Sequence, residues 1–122
     1  MGIDYGKSKV GLAIGDSETR MAFQYGTLEN DKDLLQKIAG IIERENISKV
    51  IIGEQAVRMS GPQSLGNSVS KLTGVEVEYQ DEMFTTKMAY QNLIEKGVKV
   101  IKKYDDQEAA RIILQSWLDK KG

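Results

Sequence analysis

The apolar residues of this chain follow two rhythms, a short one suited to strands and a 3.6-residue one suited to helices, and their order predicts the elements. Residues 1–4 carry Met1 and Ile3 and lead into a glycine-punctuated stretch, after which residues 10–14 form an apolar run. Two strands joined by a tight turn at Gly6-Lys7-Ser8-Lys9 satisfy this pattern. Residues 21–28 set Phe23 and Tyr25 between polar neighbours and read as a third antiparallel strand. The rhythm changes over residues 31–45, where Leu34, Leu35, Ile38, Ile41 and Ile42 share one face of a helix, with Asp31 as its cap.

Residues 49–52 are apolar without alternation and end at Gly53, which suits a strand buried on both faces of a parallel sheet. Residues 54–62 read as a loop. Leu65, Val69 and Leu72 mark a second helix stopped by Gly74, and residues 75–79 alternate apolar with acidic as a strand does. Thr85 or Thr86 can cap a third helix that runs to Lys96 and stops at Gly97. A last helix is expected over residues 106–118, with Ala109, Ile112, Ile113 and Trp117 on one face and Asp105 with Glu108 as a capping box. Three strands followed by helices alternating with strands imply an α/β fold, a mixed sheet with helices packed on it. With 122 residues, no repeat and no linker, one domain over residues 1–122 is expected.

Composition narrows the chemistry. The chain has no cysteine and no histidine, so a disulfide framework, a Cys/His zinc site, a thiol nucleophile and an imidazole base are all excluded. Any catalysis must use carboxylates, hydroxyls, amines or metals. No apolar run approaches the roughly 20 residues that span a bilayer and no leader is visible, so the expected location is the cytoplasm, with no membrane partner. A net charge of -1 supplies no global attraction for nucleic acid. The charge is unevenly placed, however: Lys96, Lys99, Lys102 and Lys103 follow one another without an intervening acid, whereas Glu76, Glu78, Asp81 and Glu82 crowd the segment before them. A basic strip beside an acidic cluster suits a polyanion held over bound metal; its plainer reading is a solvated loop.

The carboxylates recur where an α/β sheet binds ligands, at the carboxyl ends of strands. Asp4 closes the first strand before a glycine turn, Glu54 follows the buried strand, Asp81 and Glu82 follow the next one, and Asp106 opens the last helix. Like charges gathered on one edge repel unless cations compensate them. Mg2+ or Mn2+ is the natural counter-ion, because such ions take hard oxygen ligands and keep waters. The plainer roles are a turn cap for Asp4, helix-end complementarity for Asp106 and an exposed loop position for Glu54.

The whole chain resembles the YqgF-type proteins, a family named for Holliday-junction resolution and for trimming the 5′ end of pre-16S ribosomal RNA. The resemblance rests on Gly2-Ile3-Asp4-Tyr5-Gly6, Val10-Gly11-Leu12-Ala13, Asp81-Glu82 with Thr85-Thr86, and Asp106-Gln107-Glu108-Ala109-Ala110 leading into Ile113-Leu114-Gln115-Ser116-Trp117-Leu118-Asp119. It implies an RNase H-like fold, a five-stranded mixed sheet of order 3-2-1-4-5, and a divalent-metal endonuclease site in which Asp4, Glu82 and Asp106 fall on the family's acidic positions. In the related resolvases proper a glutamate ends the fourth strand, which adds Glu54 to the candidate catalytic acids. Two departures stand out: Met83 replaces the arginine that usually follows the Asp-Glu pair, and Gly53-Glu54-Gln55 replaces Gly-Leu-Pro. The first strand also lacks the few residues that usually precede Gly2.

The function expected on these grounds is metal-assisted hydrolysis of a nucleic-acid backbone, in which Lys99, Lys102, Lys103 and Arg58 hold flanking phosphates without reading sequence. The expected substrate is pre-ribosomal RNA, met on a ribosomal precursor particle, with branched DNA as the alternative; a monomer or a homodimer fits, and a junction resolvase needs the dimer. A catalytically silent RNA-binding or ribosome-assembly factor is the rival, favoured by the slight charge and by Met83. Gly2-Ile3-Asp4-Tyr5-Gly6-Lys7-Ser8 also looks like the first phosphate loop of the actin and sugar-kinase ATPases, which need two such domains; 122 residues do not supply both.

Overall fold

The computed structural model describes residues 1–54, 60–81 and 106–121. Its first three strands, β1 (Gly2–Tyr5), β2 (Lys9–Asp16) and β3 (Met21–Glu29), form the antiparallel meander that the alternation predicts. β4 (Lys49–Glu54) adds to the free side of β1 in parallel, and β5 (Glu76–Asp81) adds in parallel to β4. The five-stranded sheet has the order β3-β2-β1-β4-β5, as the resemblance implies.

Three helices are described: α1 (Leu34–Arg44), α2 (Ser60–Thr73) and α3 (Asp106–Lys121). Strand alternation divides the apolar residues between two cores. Ile3, Val10, Leu12, Val50 and Ile52 face α1 and α2, where they meet Leu34, Ile38, Ile41, Ile42, Leu65 and Val69. Ala13, Ala22 and Ile51 face α3, where they meet Ala110, Ile113, Leu114 and Leu118. β4 thus has apolar residues on both faces, which is why its sequence does not alternate. Each fully buried side chain such as Ile52 or Ile113 contributes about 1.5–3 kcal/mol relative to exposure.

Several details depart from the sequence reading. α1 begins at Leu34, and Asp31 does not cap it: the Asp31 carboxylate accepts the Asp33 N–H at 2.9 Å, making a turn ahead of the helix. On α3 the buried face comprises Ala109, Ala110, Ile113, Leu114 and Leu118, whereas Ile112 and Trp117 are only half-buried. A bulge opposite Leu12 and Ala13 inserts Tyr25 into β3, so Tyr25 packs against the first core while Phe23 is 55% exposed. α2 starts at Ser60, inside the expected loop, and stops at Gly74, whose φ of 77° suits a residue without Cβ. The expected helix over residues 85–96 and Asp105 lie outside the described residues; Glu108, the other half of the expected capping box, pairs with Arg111 one turn along.

Candidate active site at the carboxyl edge of the sheet

β1, β4 and β5 run parallel, so Tyr5, Glu54 and Asp81 end their strands at one edge. Asp4 lies one residue back from that edge. Its partner across the β1–β2 ladder is Gly11, and directly paired residues project to the same face. That face belongs to α3. A Cβ placed on Gly11 would fall 1.8 Å from the Asp106 carbonyl oxygen and 2.8 Å from the Asp106 Cβ. The first residue of α3 therefore rests on the bare backbone of Gly11, immediately beside Asp4.

The close approach continues along the helix. A Cβ on Gly2 would come within 2.7 Å of both the Ala110 carbonyl oxygen and the Leu114 Cβ. Small residues on both partners, Gly2 and Gly11 below and Ala109 and Ala110 above, let α3 cross β1 and β2 at backbone distance. This explains physically why Val10-Gly11-Leu12-Ala13 and Asp106-Gln107-Glu108-Ala109-Ala110 occur together in one chain. α3 runs antiparallel to β1, so its positive N-terminal end lies at the carboxyl edge, where negative charge is favoured.

Two residues here escaped the sequence reading. Gln80 is 5% exposed and pairs in register with Gly53, which comes level with Asp4 one step beyond the Ile3–Ile52 pair. It shares strand parity with Glu78, whose carboxylate accepts the Trp117 Nε1–H of α3 at 3.2 Å. The only trace of Gln80 in the sequence is that parity. Asn30 donates from Nδ2 to the Gly6 carbonyl at 2.7 Å and from its backbone N–H to the Ser8 carbonyl at 2.9 Å. It pins the turn that follows Asp4 and Tyr5; a lone asparagine at a strand end gives no sequence signal of that kind.

The acidic run divides. Lys49 Nζ lies 3.3 Å from Glu76 and 2.5 Å from Glu78, and 5.1 Å from the centre of the Trp117 ring. The hydrogen bond that Lys49 Nζ donates to the Glu78 carboxylate raises the Lys49 pKa above its ordinary value, ahead of an opposing desolvation effect. Glu76 and Glu78 are thus bound to a structural cation, away from the edge. Among the described residues no three carboxylates stand close enough to hold a metal ion. Asp4 and Asp106 are the two candidate acids brought together, and Glu54 ends β4 on the same edge. Glu82, Arg58, Lys99, Lys102 and Lys103 lie outside the described residues. No described helix is long and apolar enough to cross a membrane.

The chain is similar to known proteins over nearly its whole length. A protein of Bacteroides fragilis named as a pre-16S rRNA nuclease is 31% identical, covering 98% of this chain and 94% of its own. Another of that name from Streptococcus gordonii is 33% identical, covering 98% and 96%. Among solved structures, T. thermophilus RuvC in complex with a Holliday junction superposes with a TM-score of 0.60 at 15% identity, over 98% of this chain and 92% of that one. Fowlpox virus resolvase in complex with junction DNA gives 0.56 at 13% identity, over 98% and 96%. At such identities the likeness is one of fold, and the fold is RNase H-like. The RuvX family, described as Holliday junction resolvase, matches residues 1–120, and the chain belongs to it.

Proposed function

We propose that this chain is a divalent-metal-dependent endonuclease that hydrolyses nucleic-acid phosphodiester bonds and processes the 5′ end of pre-16S ribosomal RNA. The observation that carries the proposal is the meeting of Asp4 with Asp106 across Gly11 at the carboxyl edge. Two carboxylates gathered at a helix N-terminus make a hard-oxygen donor set that fits Mg2+ or Mn2+. Asp4, Asp106 and Glu82 would hold the metal. A metal held there would supply a water of lowered pKa as nucleophile and a positive charge for the leaving oxygen. Asp4 and Asp106 orient that centre because both sit on rigid elements. Glu54, which ends the strand next to β1, is a further candidate catalytic acid. Lys99, Lys102, Lys103 and Arg58 hold the flanking phosphates.

Ribosomal RNA is favoured as substrate by the near full-length relatives at 31% and 33% identity, both named as pre-16S rRNA nucleases. Cleavage of branched DNA is the second reading, favoured by the family's description and by the fold shared with two junction-bound resolvases. The deciding experiment incubates purified protein with pre-16S rRNA and with a four-way DNA junction in Mg2+ or Mn2+, beside Asp4→Asn and Asp106→Asn. The expected outcome is metal-dependent RNA cleavage that falls at least ~100-fold in each folded variant, a loss comparable to that from removing a principal catalytic group. Variants that cut as fast as the parent would overturn the assignment of these acids. Paired incisions in the junction with intact RNA would transfer it to DNA.

A further inference from the structure

Two larger cavities, of about 730 and 520 Å3, both include Asn46 and Ile47, which precede β4, and so lie at the sheet edge away from Asp4. A smaller one, of about 330 Å3, opens at the carboxyl edge itself, and Tyr5 forms part of its lining. Tyr5 follows Asp4 directly. Strand alternation sends the two residues to opposite faces, so that Asp4 faces α3 while Tyr5 packs against the core formed with α1 and α2. Their Cα atoms are about 3.8 Å apart across the trans peptide. A nucleic-acid strand held at Asp4 need only pass over the end of β1 to bring its next nucleotide to this cavity.

The lining suits a nucleobase. Leu34 and Leu65 are buried and apolar, Tyr5 supplies an aromatic ring, and Asn30, Ser64 and Ser68 bring groups able to hydrogen-bond the edge of a base. Asn30 is held in place by its bond to the Gly6 carbonyl, within the turn that follows Tyr5. Lys32 and Asp31 also line the cavity, and Asp31 is paired with Lys37 at 3.8 Å, so the rim is not dominated by acid. An aromatic ring beside several polar side chains is how proteins stack on and hydrogen-bond single bases splayed from a strand. Its volume is at the low end for small-molecule sites, about 300–1,000 Å3, and is sufficient for one base. A base inside a duplex is stacked and paired and cannot enter without being extruded.

We infer that this cavity is a base subsite, which receives one unpaired nucleobase adjacent to the phosphodiester bond cut at Asp4 and so directs the chain to strands that are unpaired at the cut. Its place relative to the cut rests on the nuclease reading above; its capacity to bind a base does not. The test is therefore first made without metal. The isotopically labelled protein is titrated in EDTA with nucleoside 5′-monophosphates, ribose 5-phosphate, a single-stranded decaribonucleotide and the same strand in duplex. Resonances of Tyr5, Ser64 and Ser68 should shift with the monophosphates and the single strand, and not with ribose 5-phosphate or duplex. Ser64→Tyr, at an exposed rim position, and Tyr5→Leu should each weaken single-strand binding about tenfold, as loss of one stacked base does, while Tyr5→Phe restores it. Ser64 and Ser68 resonances that stay fixed while the single strand binds elsewhere would overturn the subsite, as would Ser64→Tyr and Tyr5→Leu proteins of parental affinity. Cleavage assays in Mg2+ then separate the two readings. A chain that binds bases here and cuts nothing retains the subsite and refutes the nuclease. A chain that cuts RNA with an unchanged KM in Ser64→Tyr refutes the subsite and retains the nuclease.

Discussion

At the scale of single residues, the site depends on an atom that is missing. Gly11→Ala would place a methyl group 1.8 Å from the Asp106 carbonyl, and because that neighbour is backbone, the start of α3 has to move away. The expected loss of stability is about 1–3 kcal/mol or more, as for other overpacked contacts. Cleavage should fall further than the fraction unfolded explains, since Asp106 leaves Asp4. Urea denaturation beside a cleavage assay checks both, and a parental denaturation midpoint would mean that α3 does not rest on Gly11. Met1 offers a second residue-scale test. Its ammonium group is buried, donates to the Lys49 carbonyl at 2.9 Å, and has its pKa lowered from 8.0 to about 6 by desolvation. Between those values the unfolded chain binds more protons than the folded one, so stability rises as the pH goes from about 6 to 8. Two pKa units correspond to roughly 3 kcal/mol. With no histidine or cysteine to titrate in that window, the step should stand out in denaturation curves. Extending the chain before Met1, which turns the amine into an amide, should remove it.

At the scale of elements, one amide adds polar bonds to the apolar junction of α3 with the β2–β3 hairpin. Gln115 Oε1 accepts the Ala22 N–H at 2.9 Å, and its Nε2 donates to the Arg20 carbonyl at 2.8 Å, where Arg20 itself holds a left-handed φ of 59°. β3 is an edge strand, and this side chain satisfies backbone groups that no neighbouring strand reaches. Gln115→Met keeps the length and removes both bonds, together with the exposed one that Nε2 donates to Asp119. We expect about 1–2 kcal/mol of destabilisation, together with faster hydrogen exchange at the Ala22 amide. Unchanged exchange at that amide would show that the glutamine is not its partner. The same element explains why the acidic run does not act as one cluster, since α3 brings Trp117 against Lys49 and Glu78 and ties the early acids of β5 into a structural contact.

At the scale of the molecule, a net charge of -1 means that affinity for a polyanion must come from local charge rather than from the overall field. If the strip holding Lys99, Lys102 and Lys103 makes the phosphate contacts, neutralising all three should flatten the slope of log affinity against log salt by up to about 2–3. Filter-binding or fluorescence titrations across a salt series measure this directly. A slope equal to that of the parent would place the phosphate contacts on other residues.

The periodicity of residues 10–14, 34–42 and 49–52 was enough to assign strand, helix and doubly buried strand, because burial of each position against a neighbouring layer imposes the pattern locally. The absence of histidine and cysteine was enough to confine the chemistry to oxygen donors. Asp4 was legible as a candidate because a carboxylate before a glycine turn is a local feature, and the resemblance pointed to Asp106. The proximity of these two acids was not legible from periodicity. It depends on α3 landing on Gly11 and Gly2, an event between segments far apart in the chain, and pattern within a segment carries no information about which other segment it will meet. The same reason hides the bonds of Asn30 to the β1–β2 turn, the clamp of Gln115 and the withdrawal of Glu76 and Glu78 to Lys49. Local periodicity reports whether a side chain is buried; only the packed tertiary structure decides against what.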